Sequence, residues 1–220
     1  MLRSGLLHHV AHGFTGRSEG DLRRGNVAGL AEVGAALCAR GLIRTASQVH
    51  GREVLVVEGV DPTQLIEADA VLCTAPGVAV AVRVADCVPI LVASTAGHGV
   101  IAIHAGWRGT AADIVRVGVA ALRTALGAPD EPLRAAIGPS IRSCCYEVGD
   151  EVIEGVRAIS PGDGWLRGRA VDLAEANRLV LAALGIPVEV VGGCTRCGGE
   201  WYSHRGGDVE RQLGVIRVAS

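Results

Sequence analysis

Three residues with metal-ligand chemistry stand at breaks in apolar sequence. They are His50 in Ser47-Gln48-Val49-His50-Gly51, Cys87 after Asp86, and His104 just before Ala105-Gly106-Trp107-Arg108. Two imidazoles and one thiolate bind Zn²⁺ well and leave a fourth position open, the requirement for a catalytic zinc. The spacing is long and irregular, and a buried core thiol with a hydrogen-bonded loop histidine accounts for the same residues. A rival chemistry makes Cys87 a nucleophile, His104 its base and Asp86 the orienter. Neighbouring residues of an extended strand point to opposite faces, so the sequence leaves the direction of Asp86 open. Arg108, between Gly106-Trp107 and Gly109, offers a guanidinium fork for phosphate or another anion, close to a helix start near Thr110. The alternative is a surface arginine stacked on Trp107.

The elements that must position these residues follow from periodicity. Residues 78–84, 88–93 and 99–104 are short runs rich in Val and Ile, which predicts buried strands with the polar residues at their ends. Further strands are expected over residues 53–58, 68–72, 133–137, 188–191 and 213–218. Asn26 caps a helix expected to run to about Arg40, with Gly41 just past its end. A second helix is expected from Thr110, with Asp113 in a capping-box position and Gly127 as its stop. Others are expected over residues 150–159 and from a cap at Asp172 to about Leu184, while Asp61-Pro62 marks a turn. With no repeat and no dividing linker, this reads as one α/β-type domain of mixed strand order.

Composition narrows the function. At 220 residues the chain suits one domain with a substantial core. All 21 basic residues are Arg, so no mechanism needing a Schiff-base lysine is available. A formal charge of −2 argues against an electrostatic nucleic-acid binder. No apolar run reaches membrane-spanning length and no secretory signal is evident, so the cytoplasm is the expected location. Seven cysteines in such a chain favour free thiols, metal ligands or a nucleophile over a disulfide framework. Cys194-Thr195-Arg196-Cys197 has CxxC spacing, but no second CxxC accompanies it and Cys144-Cys145 are adjacent, so these four read as ordinary free cysteines.

Five motifs recur in one order: SQVHG at 47–51, RVADCVPI at 83–90, HAGWRGT at 104–110, IGPSIRSCCYEVG at 137–149 and WYSHR at 201–205. In these the chain resembles the YfiH family, whose members are called multicopper polyphenol oxidoreductase (laccase-domain) proteins or purine nucleoside phosphorylases, one branch being peptidoglycan editing factors. The resemblance covers nearly the whole chain. It implies a single α+β domain over residues 1–220, in α/β/β/α layers with mixed sheets, similar to certain cysteine-hydrolase toxins. It implies a zinc site of His50, Cys87 and His104, and phosphorolysis of adenosine, inosine, guanosine and methylthioadenosine with adenosine deamination beside it. The partners so implied are a small-molecule nucleoside and phosphate, taken by a monomer or homodimer, with Arg108, Arg17 and Arg205 as expected phosphate or substrate contacts.

Three other readings stand beside this one: a cysteine-type hydrolase or amidase acting on cell-wall precursors, a copper-binding polyphenol oxidoreductase, and a zinc-stabilised binding protein without turnover. The chain has seven histidines and no His-x-His pair, too few for a four-copper oxidase. Cu²⁺ outcompetes Zn²⁺ in such ligands and is expected to enter the same His₂Cys set. The sequence departs from the family in a short segment between Arg17 and Asn26, and in Arg205-Gly206 where Arg-Arg is usual.

Overall fold

In the computed structural model, which describes residues 1–58, 64 and 66–220, two sheets pack face to face and carry helices on their outer surfaces. In chain order the strands are β1 (His12–Phe14), β2 (Val54–Val56), β3 (Ala70–Cys73), β4 (Ala79–Val84), β5 (Val88–Ser94) and β6 (Val100–Ala105). They continue as β7 (Leu133–Ile137), β8 (Leu166–Arg167), β9 (Ala170–Val171), β10 (Val188–Val190) and β11 (Gln212–Arg217). The helices are α1 (Val27–Ala36), α2 (Trp107–Ala111), α3 (Ile114–Leu126), α4 (Asp150–Arg157), α5 (Leu173–Ala183) and α6 (Thr195–Gly198).

One sheet has the order β1-β11-β4 and the other β10-β7-β5-β6-β3-β2, with β8 and β9 forming a separate hairpin. The larger sheet is mixed: β2–β3 and β7–β10 are parallel, the central pairs antiparallel. Side chains alternate with period two, so each strand feeds two cores. Val80 and Val82 point between the sheets with Leu91, Ala93, Val100 and Ala102. Ala79 and Ala81 point outward to Val33 and Leu37 around α1. Ile90, Val92, Ile101 and Ile103 point the other way, under α3 and α5. The layers are therefore α/β/β/α, as the resemblance implies. Both faces of the central strands are buried, which is why they read as nearly unbroken Val/Ile runs rather than as alternating ones.

Close approach sets how α3 lies on β6. A Cβ on Gly118 would stand 2.9 Å from Ile103 Cδ1, so a larger residue there would force the Ile103 side chain to shift for the helix to come this near. Val115, Val119 and Leu122 on the same face are buried against the sheet, each contributing about 1.5–3 kcal/mol relative to exposure.

Several expected boundaries shift. The α1 cap is as expected, with Asn26 Oδ1 accepting from the Gly29 N–H at 2.9 Å, but the helix ends at Ala36 because Cys38 turns to φ 51°. The helix expected from Thr110 is two helices. Asp113 sits between them in the left-handed region (φ 63°) and its carboxylate binds Arg116 at 2.9 and 3.0 Å, so no capping box forms. Gly127 ends α3 as expected, and Asp172 caps α5 through Glu175 N–H. The expected turn at Asp61-Pro62 lies outside the described residues.

Candidate metal centre

The two sheets bring His50, Cys87 and His104 together. Their ligand atoms lie within 4.8 Å of one another, and the His50 and His104 rings stand edge to face with centroids 4.9 Å apart. Cys87 occupies the turn between β4 and β5, while His104 lies near the end of β6, paired in register with Pro89 of β5. His50 enters from the loop before β2, in a left-handed conformation (φ 61°) that a non-glycine residue adopts only at a cost.

That conformation is held by Asp69, a residue the sequence reading passed over as part of a strand. Its carboxylate is fully buried. It accepts the N–H groups of Val49 (3.1 Å), His50 (2.9 Å) and Gly51 (2.7 Å), together with His104 Nδ1 at 2.8 Å. The three successive backbone N–H groups wrap the carboxylate as an anion nest. An ionised carboxylate can only accept, so the proton of His104 sits on Nδ1 and Nε2 is left for a metal. Burial alone would raise the Asp69 pKa, but the His104 and Gly51 hydrogen bonds outweigh it and hold the carboxyl below its ordinary value. The one legible signal was an acidic residue inside an Ala-Val-Leu run, where a charge survives only with partners.

The remaining groups fit a metal. Burial would raise the Cys87 pKa, but the charge and hydrogen bond of His104, then His50, bring it down to about 6. The reciprocal pull of Cys87 and Asp69 raises His104 to about 9 against its burial. Gly106 leaves the room the ligands need: a Cβ there would stand 2.9 Å from His50 Cδ2 and 3.2 Å from Cys87 Sγ. One thiolate and two imidazoles around this gap suit Zn²⁺, and suit Cu²⁺ as well.

Asp86 is not the orienter of His104, contrary to the nucleophile reading. It turns at φ 86°, and its carboxylate accepts Thr195 Oγ1 and the Arg205 N–H, both at 2.6 Å. Asp69 takes the orienting position instead.

Two cavities meet at the cluster. One of about 470 Å³ is lined by His50, Cys87 and His104 together with Arg23, Arg24, Arg83 and Arg211. None of those four arginines was singled out from sequence. Gln48 shapes its wall by exchanging two hydrogen bonds with the Arg83 backbone, at 2.7 and 2.8 Å. The other cavity, about 200 Å³, runs between Cys87, Trp107, Arg108, Tyr146 and Arg205. Arg108 stacks on Trp107 at 4.3 Å and Arg205 lies over Tyr146 at 5.2 Å, so both arginines line the cavity while resting on an aromatic face. Arg17 stands apart from both cavities, paired with Asp208 at 2.5 Å and stacked on Tyr202.

The comparisons with known proteins agree with this architecture. The profile of the family described as multi-copper polyphenol oxidoreductase laccase matches residues 15–219. A purine nucleoside phosphorylase of Deinococcus radiodurans is 37% identical over 175 residues, covering 77% of this chain and 68% of that protein. Adenosine deaminase RL5, from an unknown prokaryotic organism, is 37% identical over 139 residues, covering 59% of this chain and 53% of that protein. The aligned segments thus span about half to two thirds of these relatives. The crystal structure of Bacillus licheniformis YfiH superposes with a TM-score of 0.82 at 27% identity, covering 96% of this chain and 93% of that one. On this profile, these relatives and this fold, the chain belongs to the YfiH, or multi-copper polyphenol oxidoreductase laccase, family.

Proposed function

We propose that the chain is a zinc-dependent purine nucleoside phosphorylase that also deaminates adenosine, acting on adenosine, inosine, guanosine and methylthioadenosine. The observation that carries this reading is the convergence of His50, Cys87 and His104 on the floor of an arginine-lined cavity. The names of the relatives supply the reaction class. Zn²⁺ held by the three side chains supplies Lewis acidity at the cavity floor.

The chain's own residues do the rest. Arg23, Arg24, Arg83 and Arg211 place positive charge where a phosphate dianion enters, which both binds it and offsets the charge that moves in the transition state. The smaller cavity offers a purine the guanidinium planes of Arg108 and Arg205, each backed by an aromatic ring, Trp107 and Tyr146. Asp69 keeps His104 in one tautomer and one orientation throughout.

The test supplies zinc-replete protein with adenosine and phosphate and follows adenine, inosine and ribose 1-phosphate. Product no greater than that of the Cys87→Ala variant would refute the reading.

One observation favours a second reading. Cys87, with its lowered pKa, His104 and Asp69 make a thiolate–imidazole–carboxylate arrangement of the kind cysteine hydrolases use. That enzyme would work in excess chelator and be silenced by thiol alkylation. The copper-oxidase reading has less to rest on: among the described residues the other cluster of candidate ligands is made of cysteines, with no histidines for a three-copper centre.

A further inference from the structure

Four of the six cysteines outside the site, read from their spacing as ordinary free cysteines, are not independent. Cys144, Cys145, Cys194 and Cys197 converge, with all four sulfurs within 4.8 Å of one another. All are free thiols. Cys197 Sγ lies 3.6 Å from Cys144 Sγ and 3.2 Å from Cys145 Sγ, across separations of 53 and 52 residues. A disulfide would need about 2.05 Å and involve only a pair. A tetrahedral metal with Zn–S bonds of ~2.3 Å sets its sulfurs about 3.8 Å apart, which is the scale observed. The adjacent Cys144-Cys145 pair supplies the two ligands that a second CxxC would have supplied.

The local backbone brings the four sulfurs together from two loops. Cys194 stands at the start of α6, and the chain leaves Cys197 through Gly198 and Gly199, the latter in the left-handed region at φ 67°. Cys145 N–H closes a tight turn onto Arg142 O at 2.9 Å, which presents the two adjacent sulfurs to the same point.

We propose that Cys144, Cys145, Cys194 and Cys197 form a second, closed metal centre that binds Zn²⁺ through four thiolates and fastens the 137–149 loop to the loop before β11. Four protein ligands leave no open position, so the centre is structural, and zinc loading releases the protons of the thiols. It closes a long loop between segments that otherwise meet through the Thr195 N–H to Ser140 O bond of 3.1 Å and few others. Its neighbours matter to the active site: Tyr146 follows Cys145 and lines the smaller cavity, and Thr195 follows Cys194 and binds Asp86 beside Cys87. The proposal does not depend on which reaction the His50 centre performs.

The test is metal content by mass spectrometry of the full chain, purified anaerobically without chelator. Wild type is expected to carry two equivalents of zinc, Cys87→Ala one, and the double variant Cys194→Ser/Cys197→Ser one. Cobalt exchange into Cys87→Ala reads the centre without touching its ligands, since four thiolates give strong charge-transfer and tetrahedral d–d bands. A Cys87→Ala protein with neither zinc nor those bands overturns the proposal, as does a disulfide among these cysteines in the anaerobic wild type.

Discussion

Asp69 binds His104 through Nδ1 at 2.8 Å and the His50 backbone N–H at 2.9 Å, so one buried carboxylate fixes two of the three proposed ligands. Replacing it with Asn puts an NH₂ group against a set of donors and frees the His104 tautomer. Zinc affinity at this centre is expected to fall about 10–100-fold, the usual cost of losing such an outer partner. Competition with a chromophoric chelator measures it. Affinity unchanged in Asp69→Asn would show that the carboxylate does not orient the ligands.

Gly106 tests whether the gap between the ligands is functional. In Gly106→Ala the new methyl presses on His50 and Cys87. The expected cost is about 1–3 kcal/mol of stability together with loss of zinc from the His50 centre. Gly149→Ala is the control, because a Cβ there meets nothing within 4 Å. Thermal melts and metal analysis of both variants separate a local clash from general destabilisation.

Protonation gives zinc loading a defined pH dependence. Without metal, Cys87 is ionised above about pH 6 and His104 keeps its proton up to about pH 9. Zinc entering near pH 8 therefore displaces one proton from this pair, and that proton belongs to His104. Release should vanish as pH rises past about 9 and approach two protons below about 6, where Cys87 also gives one up. Calorimetry of Cys194→Ser/Cys197→Ser in buffers of different ionisation enthalpy isolates this centre and counts those protons. Ultraviolet thiolate absorbance of the metal-free protein near neutral pH, where an ordinary thiol keeps its proton, reads the ion pair itself; no thiolate signal that Cys87→Ala removes would contradict the pair.

The arginines divide into two groups. Arg24→Ala and Arg211→Ala remove charge from the larger cavity and are expected to raise the KM for phosphate roughly 10–100-fold, the scale of a charge-assisted hydrogen bond. Arg17→Ala removes a guanidinium already paired with Asp208 and should leave that KM unchanged. Steady-state kinetics at saturating nucleoside distinguishes them.

The ligands were legible because Cys87 and His104 interrupt or end runs that otherwise contain little but Val, Ile and Ala, and a buried strand does not choose such residues without reason. The layered fold was legible from the same runs. Asp69 was hidden because Ala68-Asp69-Ala70 has the look of a half-exposed strand, and its partners at 104 and 49–51 are brought to it by the pairing of β3 with β6 and with β2. The Cys144–Cys197 cluster was hidden for the same reason: its members are local in space and some fifty residues apart in sequence. Asp113 shows the opposite failure, where a plausible local capping pattern gave way to an ion pair with Arg116.

The central claim is that catalysis depends on a metal held by His50, Cys87 and His104. The most direct measurement titrates zinc into metal-free protein and follows ribose 1-phosphate from adenosine and phosphate, with Cys87→Ala alongside. The account predicts activity that rises with occupancy of this centre and stays at background in Cys87→Ala at the same zinc concentration. Full activity in excess chelator, abolished by alkylating Cys87, would contradict it and leave the cysteine-hydrolase reading in its place.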